Sequence, residues 1–230
     1  MKTIGMIGGM SWESTALYYT HVNEQIQRTL GGYHSARLIL VNVDFQPFVD
    51  LMREGDWQEI EAQLAGAART IERSGGDCLL ICTNTMHKVA DGVQAAVDIP
   101  LLHIADAAGA EIIRHGFRTV GLLGTRFTME EKFYIDRLAQ NFGLQVIVPS
   151  AEDRNVVDRV IFEELCHGRI VNESRTRYLR IIGELQAGGA EAIIAGCTEI
   201  GMLVGKSCLP VPLFDTTLLH AKQAVDFALS

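Results

Sequence analysis

The chain has 230 residues, 48% hydrophobic and 21% charged, an ordinary globular balance that suits one large domain or two halves with cores of their own. A net charge of −8 and a pI near 5.4 argue against nucleic acid or an anionic membrane as the main partner, because both reward a basic face. Five cysteines in apolar surroundings make no disulfide framework and no zinc-spaced cluster, and no apolar run nears the ~20 residues of a membrane helix.

Taken in chain order, short apolar runs alternate with longer amphipathic stretches. A strand is predicted at 2–7, a helix at 12–29 and a strand at 37–43. Helix 56–74, strand 78–82, helix 87–96 and strand 101–104 follow. The second half predicts helix 106–115, strand 118–123, helix 129–141, strand 144–148, helix 153–167, helix 172–187, strand 191–195, strand 211–214 and helix 217–229. Several strands are apolar throughout, which marks a parallel sheet covered on both faces. Gly75-Gly76 and Gly116 stand where helix C-caps belong, just before strands. The expected fold class is α/β: two pseudo-symmetric α/β/α domains, each with a four-stranded parallel sheet. The opening residues lack the long apolar region and cleavage site of a secretory leader, so the cytoplasm is the expected address.

The chain also repeats itself. Shifted by roughly half its length, Lys2-Thr3-Ile4-Gly5-Met6-Ile7-Gly8 falls on Arg118-Thr119-Val120-Gly121-Leu122-Leu123-Gly124. Gly75-Gly76-Asp77-Cys78-Leu79-Leu80-Ile81 falls on Gly188-Gly189-Ala190-Glu191-Ala192-Ile193-Ile194, and Ile99-Pro100-Leu101-Leu102 falls on Val211-Pro212-Leu213-Phe214. One inserted residue then matches Thr83 with Cys197. The repeat predicts an N-terminal half made of 1–100 and 211–230, a C-terminal half made of 101–210, and an active site in the cleft between them.

Ligands in open α/β sheets bind beyond the carboxyl ends of the strands. Those ends lead into Gly8-Gly9-Met10-Ser11, Asp44 to Asp50 and Thr83-Asn84-Thr85-Met86-His87 in the first half. In the second they lead into Gly124-Thr125-Arg126, Pro149 to Arg154 and Gly196-Cys197-Thr198-Glu199. The glycine turn lacks dinucleotide spacing, and no phosphate-binding loop motif occurs. Its glycines permit a tight turn, and its backbone N–H groups at a helix start can hold a carboxylate. Cys78, inside an apolar strand, reads as core packing. Cys197 stands one step past its strand, where a following helix N-terminus would lower the thiol pKa and make a nucleophile or base. His87 and His220 are candidate activators. Asn84, Thr85, Thr198 and Glu199 suit either helix capping or ligand binding.

GGMS at 8–11, TNT at 83–85 and GCTE at 196–199, on a duplicated α/β frame, resemble the aspartate/glutamate racemase superfamily over essentially the whole chain. The resemblance is to its aspartate racemase branch, including enterobacterial broad-specificity amino-acid racemases. It implies racemisation of a small-molecule amino acid without pyridoxal phosphate or any other cofactor, and a homodimer. Family members usually carry two cysteines, one in Cys-Asn-Thr and one in Gly-Cys-Thr. The second is present here as Cys197; Thr83 replaces the first. Cys82 precedes Thr83 and should point to the other face of its strand. The implied catalytic pair is therefore Thr83 and Cys197, with Cys197 the thiolate base and Thr83 the opposite-face donor. Met10, Asn84, Thr85, Thr198 and Glu199 are implied to hold the substrate.

Aspartate-specific relatives carry an arginine after the second strand and a lysine after the sixth. Here the first stretch, Asp44-Phe45-Gln46-Pro47-Phe48-Val49-Asp50, has no arginine, and Cys166 stands near the lysine position. Arg53, Arg126 or Lys132 would have to compensate, so a broad or neutral substrate fits better than aspartate or glutamate. Two alternatives remain: a superfamily decarboxylase or isomerase using Cys197 alone, and an amino-acid-binding protein that has lost turnover.

Overall fold

The computed structural model describes residues 1–197, 199–205 and 209–230; Thr198 and Cys208 lie outside the described residues. The chain divides into two compact units, Met1–Ile104 with His220–Ser230, and Ala105–Leu219.

The first unit runs β1 (Ile4–Gly8), α1 (Trp12–Leu30), β2 (Leu38–Asn42), α2 (Phe45–Glu54), α3 (Trp57–Arg73), β3 (Cys78–Ile81), a 3₁₀ turn at Thr85–Val89 and α4 (Ala90–Ala95). Its parallel sheet has the order β2-β1-β3. Alternate residues of β1 face opposite ways. Ile4 and Met6 join Tyr18, Val22 and Ile26 of α1 in a buried cluster with Cys78, Leu80 and Cys82. Gly5 faces α3 so closely that a Cβ there would lie 2.1 Å from Ile71 Cγ2. Helices on both faces explain why β1 and β3 are apolar at every position.

The second unit begins within α5 (Ile104–Arg114). It continues through β4 (Thr119–Gly124), α6 (Arg126–Glu130), α7 (Lys132–Phe142), β5 (Gln145–Ile147), α8 (Ala151–Glu163), a 3₁₀ turn at Leu165–His167 and α9 (Asn172–Ala187). Then come β6 (Ala192–Gly196), α10 (Ile200–Val204), β7 (Leu213–Asp215) and α11 (Thr216–Leu229), whose residues from His220 onward, with Ser230, return to the first unit. Its parallel sheet is β5-β4-β6-β7.

The fold is α/β with two parallel sheets, but the first sheet has three strands rather than the four expected. Its fourth member is reduced to a single parallel bridge, Leu79 to Leu101. The bonds there match those of the other sheet: Leu79 N–H donates to Pro100 O at 2.9 Å, and Ile193 N–H donates to Pro212 O at 2.8 Å. In the first unit α5 begins at Ile104, three residues past the bridge, so no ladder can extend. The boundaries also differ from those expected at 100 and 211. Leu101 pairs with β3 in the first unit and β7 pairs with β6 in the second, so each closing segment stays with the matching strand of its own repeat. A helix not foreseen, α2, occupies the stretch after β2. Asp44 caps it by accepting from Gln46 N–H, Gly55 ends it in the left-handed conformation, and Pro47 sits in its first turn, where a missing N–H is harmless.

Candidate active site

In the first unit the loop after β1 is built around Thr15. Gly9 N–H donates to Thr15 Oγ1 at 2.8 Å, and that hydroxyl donates to Ser11 O at 2.9 Å. Ser11 Oγ accepts from Ser14 N–H and so caps α1. Met10 is buried at the head of this turn. The Gly9 amide, a candidate for binding a carboxylate, is thus committed to Thr15. Gly9 has φ 96°, and a Cβ there would lie 2.2 Å from Val43 O, so only glycine fits without strain.

The loop after β3 carries Thr83, half-buried, followed by buried Asn84 and Thr85. Thr83 N–H turns back to Ile81 O at 2.8 Å. Thr83 O lies 2.8 Å from His87 Nδ1, while His87 Nε2 accepts from Ile104 N–H at 3.3 Å. A carbonyl on one nitrogen and an N–H on the other define a neutral ring protonated at Nδ1. His87 therefore holds the Thr83 backbone in place. His220 is fixed similarly, with Nδ1 2.7 Å from Tyr18 Oη and Nε2 2.6 Å from Leu102 O. Each of these rings has both nitrogens engaged within the first unit. Asn84 stands at the N-cap of the 3₁₀ turn, but its side chain makes no capping bond. Cys82 is fully buried in the core cluster, as its strand position predicts.

In the second unit Cys197 follows β6 directly and is half-buried. Its Sγ–H donates to Glu199 Oε2 at 3.0 Å. Glu199 is 4% exposed and precedes α10, yet its side chain makes no capping bond to that helix. The thiol pKa is pushed well above its ordinary value, first by desolvation, then by the Glu199 charge and then by electrostatic interaction with Cys166. This corrects the expectation of a depressed pKa. The helix that should have lowered it has five residues, too short for a strong N-terminal field, and an anionic side chain lies against the sulfur.

The cations weighed as substitutes for the missing arginine and lysine are partly spent locally. Arg53 pairs with Asp50 at 3.5 Å, and Arg126 pairs with Glu130 at 3.2 Å. Glu130 also takes Arg154 at 2.8 Å. Sequence reasoning missed the roles of His87 and Glu199 toward their neighbours. The Cys-x-Glu spacing was visible, but not that the carboxylate would turn onto the sulfur.

A family model described as Asp/Glu/hydantoin racemase matches residues 7–224. The chain belongs to this family. A crystal structure from Yersinia pestis, provisionally named an Asp/Glu racemase, is 50% identical, covers all of both chains and has a TM-score of 0.94. The crystal structure of an aspartate racemase homologue from Pyrococcus horikoshii OT3 is 35% identical, also covers all of both chains and has a TM-score of 0.85. Among curated relatives, the broad specificity amino-acid racemase RacX of Bacillus subtilis (strain 168) is 22% identical over 99% of this chain and 98% of its own length. Family membership makes the chain an isomerase of the amino-acid racemase type.

Proposed function

We propose that the chain interconverts L and D enantiomers of amino acids without a cofactor, with Cys197 and Thr83 as the proton-handling pair. One group removes the α-proton and the other returns a proton to the opposite face. The observation that carries this is positional. Each residue opens the loop at the carboxyl end of the matching strand in its repeat, β3 for Thr83 and β6 for Cys197. Met10, Asn84, Thr85 and Thr198 are the proposed contacts for the α-carboxylate and amino group.

A broad or neutral substrate is favoured over aspartate and glutamate. The loop after β2 is a capped helix with no arginine in its first turn, and Arg53 and Arg126 are paired with acids of their own helices. The broad specificity of the Bacillus subtilis relative agrees with this choice.

A second reading has a specific observation behind it. A thiol that donates to Glu199 and whose pKa is raised suits a reaction needing one proton donor, such as decarboxylation of a malonate, and Thr83 is no thiol. The deciding experiment is incubation in D₂O with a panel of amino acids, read by mass spectrometry, alongside CO₂ release from malonates. Racemisation predicts α-deuterium in both enantiomers. Cys197→Ala should lower that rate by about 10²–10⁴. CO₂ release with no α-exchange would establish the second reading instead. Binding of an amino acid with neither reaction would leave a protein that has lost turnover.

A further inference from the structure

A threonine hydroxyl is a poor acid, so any proton it moves depends on where the hydroxyl is held. The first unit holds the Thr83 backbone from both sides. The peptide leaving Thr83 is fixed through its carbonyl, 2.8 Å from His87 Nδ1. The His87 ring is bonded in turn to Ile104 N–H and packed against His103, with ring centroids 4.5 Å apart. The peptide entering Thr83 is fixed through both its polar groups. Its N–H donates to Ile81 O at 2.8 Å, and its carbonyl, Cys82 O, accepts from Ser14 Oγ at 3.0 Å. With both peptide planes fixed, the backbone dihedrals of Thr83 are set. The hydroxyl is left only the staggered positions of one side-chain rotor.

Ser14 is buried, 2% exposed, in the first turn of α1. A hydroxyl on a helix commonly bonds back to the carbonyl four residues earlier. Thr15, Thr20, Thr29, Thr70 and Thr176 all do so. Ser14 instead reaches out of its helix to a carbonyl 68 residues away in the chain. Its neighbour Thr15 holds Gly9 and Ser11. One turn of helix thus organises two loops, the one after β1 through Thr15 and the one after β3 through Ser14. We propose that Ser14 is a positioning residue for the reaction, acting through Thr83 as the second jaw of a clamp whose first jaw is His87. This rests on the reading of Thr83 as a proton carrier. Ser14 moves no proton itself. It keeps the Thr83 hydroxyl aimed, which matters more for a weak acid than for a thiol.

The test makes Ser14→Ala in the full chain, once with Thr83 present and once in a Thr83→Ala background. Alanine is nearly the size of serine and favours helix, so α1 should form. With Thr83 present, kcat should fall about 10–10²-fold while KM stays near its wild-type value, because geometry at the reacting centre is lost rather than binding. With Thr83 already alanine, Ser14→Ala should lower the rate no further, since its effect runs through the hydroxyl. A merely structural serine would lower Tm and rate alike in both backgrounds. His87→Gln keeps an N–H donor for Thr83 O and should hold more of kcat than His87→Leu, which is similar in volume and has none. This pair decides the matter if Ser14→Ala does not fold by circular dichroism: equal kcat in the two overturns the clamp. A folded Ser14→Ala with wild-type kcat overturns the proposal, as does an equal loss in the Thr83→Ala background. Amide hydrogen exchange, read by mass spectrometry, needs no turnover. Peptides covering 82–87 should exchange faster in Ser14→Ala, while those covering β2 and α3 match the wild type. If the wild type exchanges no substrate α-proton, the racemase reading fails, and faster amide exchange at 82–87 still supports the clamp. Unchanged amide exchange there overturns it whether or not the chain racemises.

Discussion

Thr83 and Cys197 occupy matching places but differ in chemistry. A thiol ionises within reach of neutral pH, and an alcohol does not. If Thr83 carries a proton on its face, that face limits the rate. Thr83→Cys should then raise kcat/KM, because a thiol of similar size replaces a poor acid. Thr83→Ala should lower it by about 10²-fold or more. The equilibrium between enantiomers is unity, so kcat/KM must change equally in both directions, and any asymmetry divides between kcat and KM. Initial rates from each enantiomer by polarimetry check this; an unchanged Thr83→Ala removes Thr83 from the chemistry. The matching positions of Thr83 and Cys197 after β3 and β6 were legible because the repeat is written in residues that also form strands. The upward shift of the Cys197 pKa was not. It depends on where one carboxylate turns, and local sequence cannot separate capping a helix from binding a thiol. Cys78 reads the same at both levels: it is buried in β3, and desolvation pushes its thiol up to about 12, as suits a packing residue.

The elements were predicted best where hydrophobic period and glycine agree, as in α1, α3 and α9. They were missed where a proline or a short span hid the signal. Pro47 made the stretch after β2 read as a loop, although a first-turn proline is compatible with a helix. The bridge at Leu101 has the apolar run of a strand but too few residues before α5 to form one. The turn between β1 and α1 depends on backbone geometry at Gly9. Substituting it puts a Cβ on a left-handed residue and against the main-chain oxygen of Val43, which no side-chain rotation relieves. Gly9→Ala is expected to destabilise the chain by about 1–3 kcal/mol, a Tm loss on the order of 2–12 °C at this size. It should also reduce activity, since Thr15 would lose its hold on the loop. Thermal melts check the first effect. A wild-type Tm would mean that this turn is not what fixes the loop.

At the scale of the whole molecule the duplication has a further irregularity: the first unit is closed by the far end of the chain. Ala221, Ala224, Val225 and Ala228 of α11 complete the cluster around Ile4, Met6 and Leu80. His220 joins Tyr18 to Leu102 O, and Lys2 N–H donates to Ala228 O at 2.9 Å. The second unit, Ala105–Leu219, is continuous and carries its own four-stranded sheet and buried core. Removing residues 220–230 should therefore act on one unit more than the other. The first loses one side of its core and the His220 ring that bonds both Tyr18 and Leu102, a loss well beyond single core truncations of about 2–5 kcal/mol. The second loses no strand. Limited proteolysis of the truncated chain, with fragments assigned by mass spectrometry, should show rapid cleavage within 1–104 and a resistant fragment close to 105–219. The full chain should resist in both parts. Racemisation should vanish with the first unit, because Thr83 and its His87 tether lie there. Equal protection of 1–104 with and without the C-terminal residues would show that α11 is an accessory to that core rather than part of it.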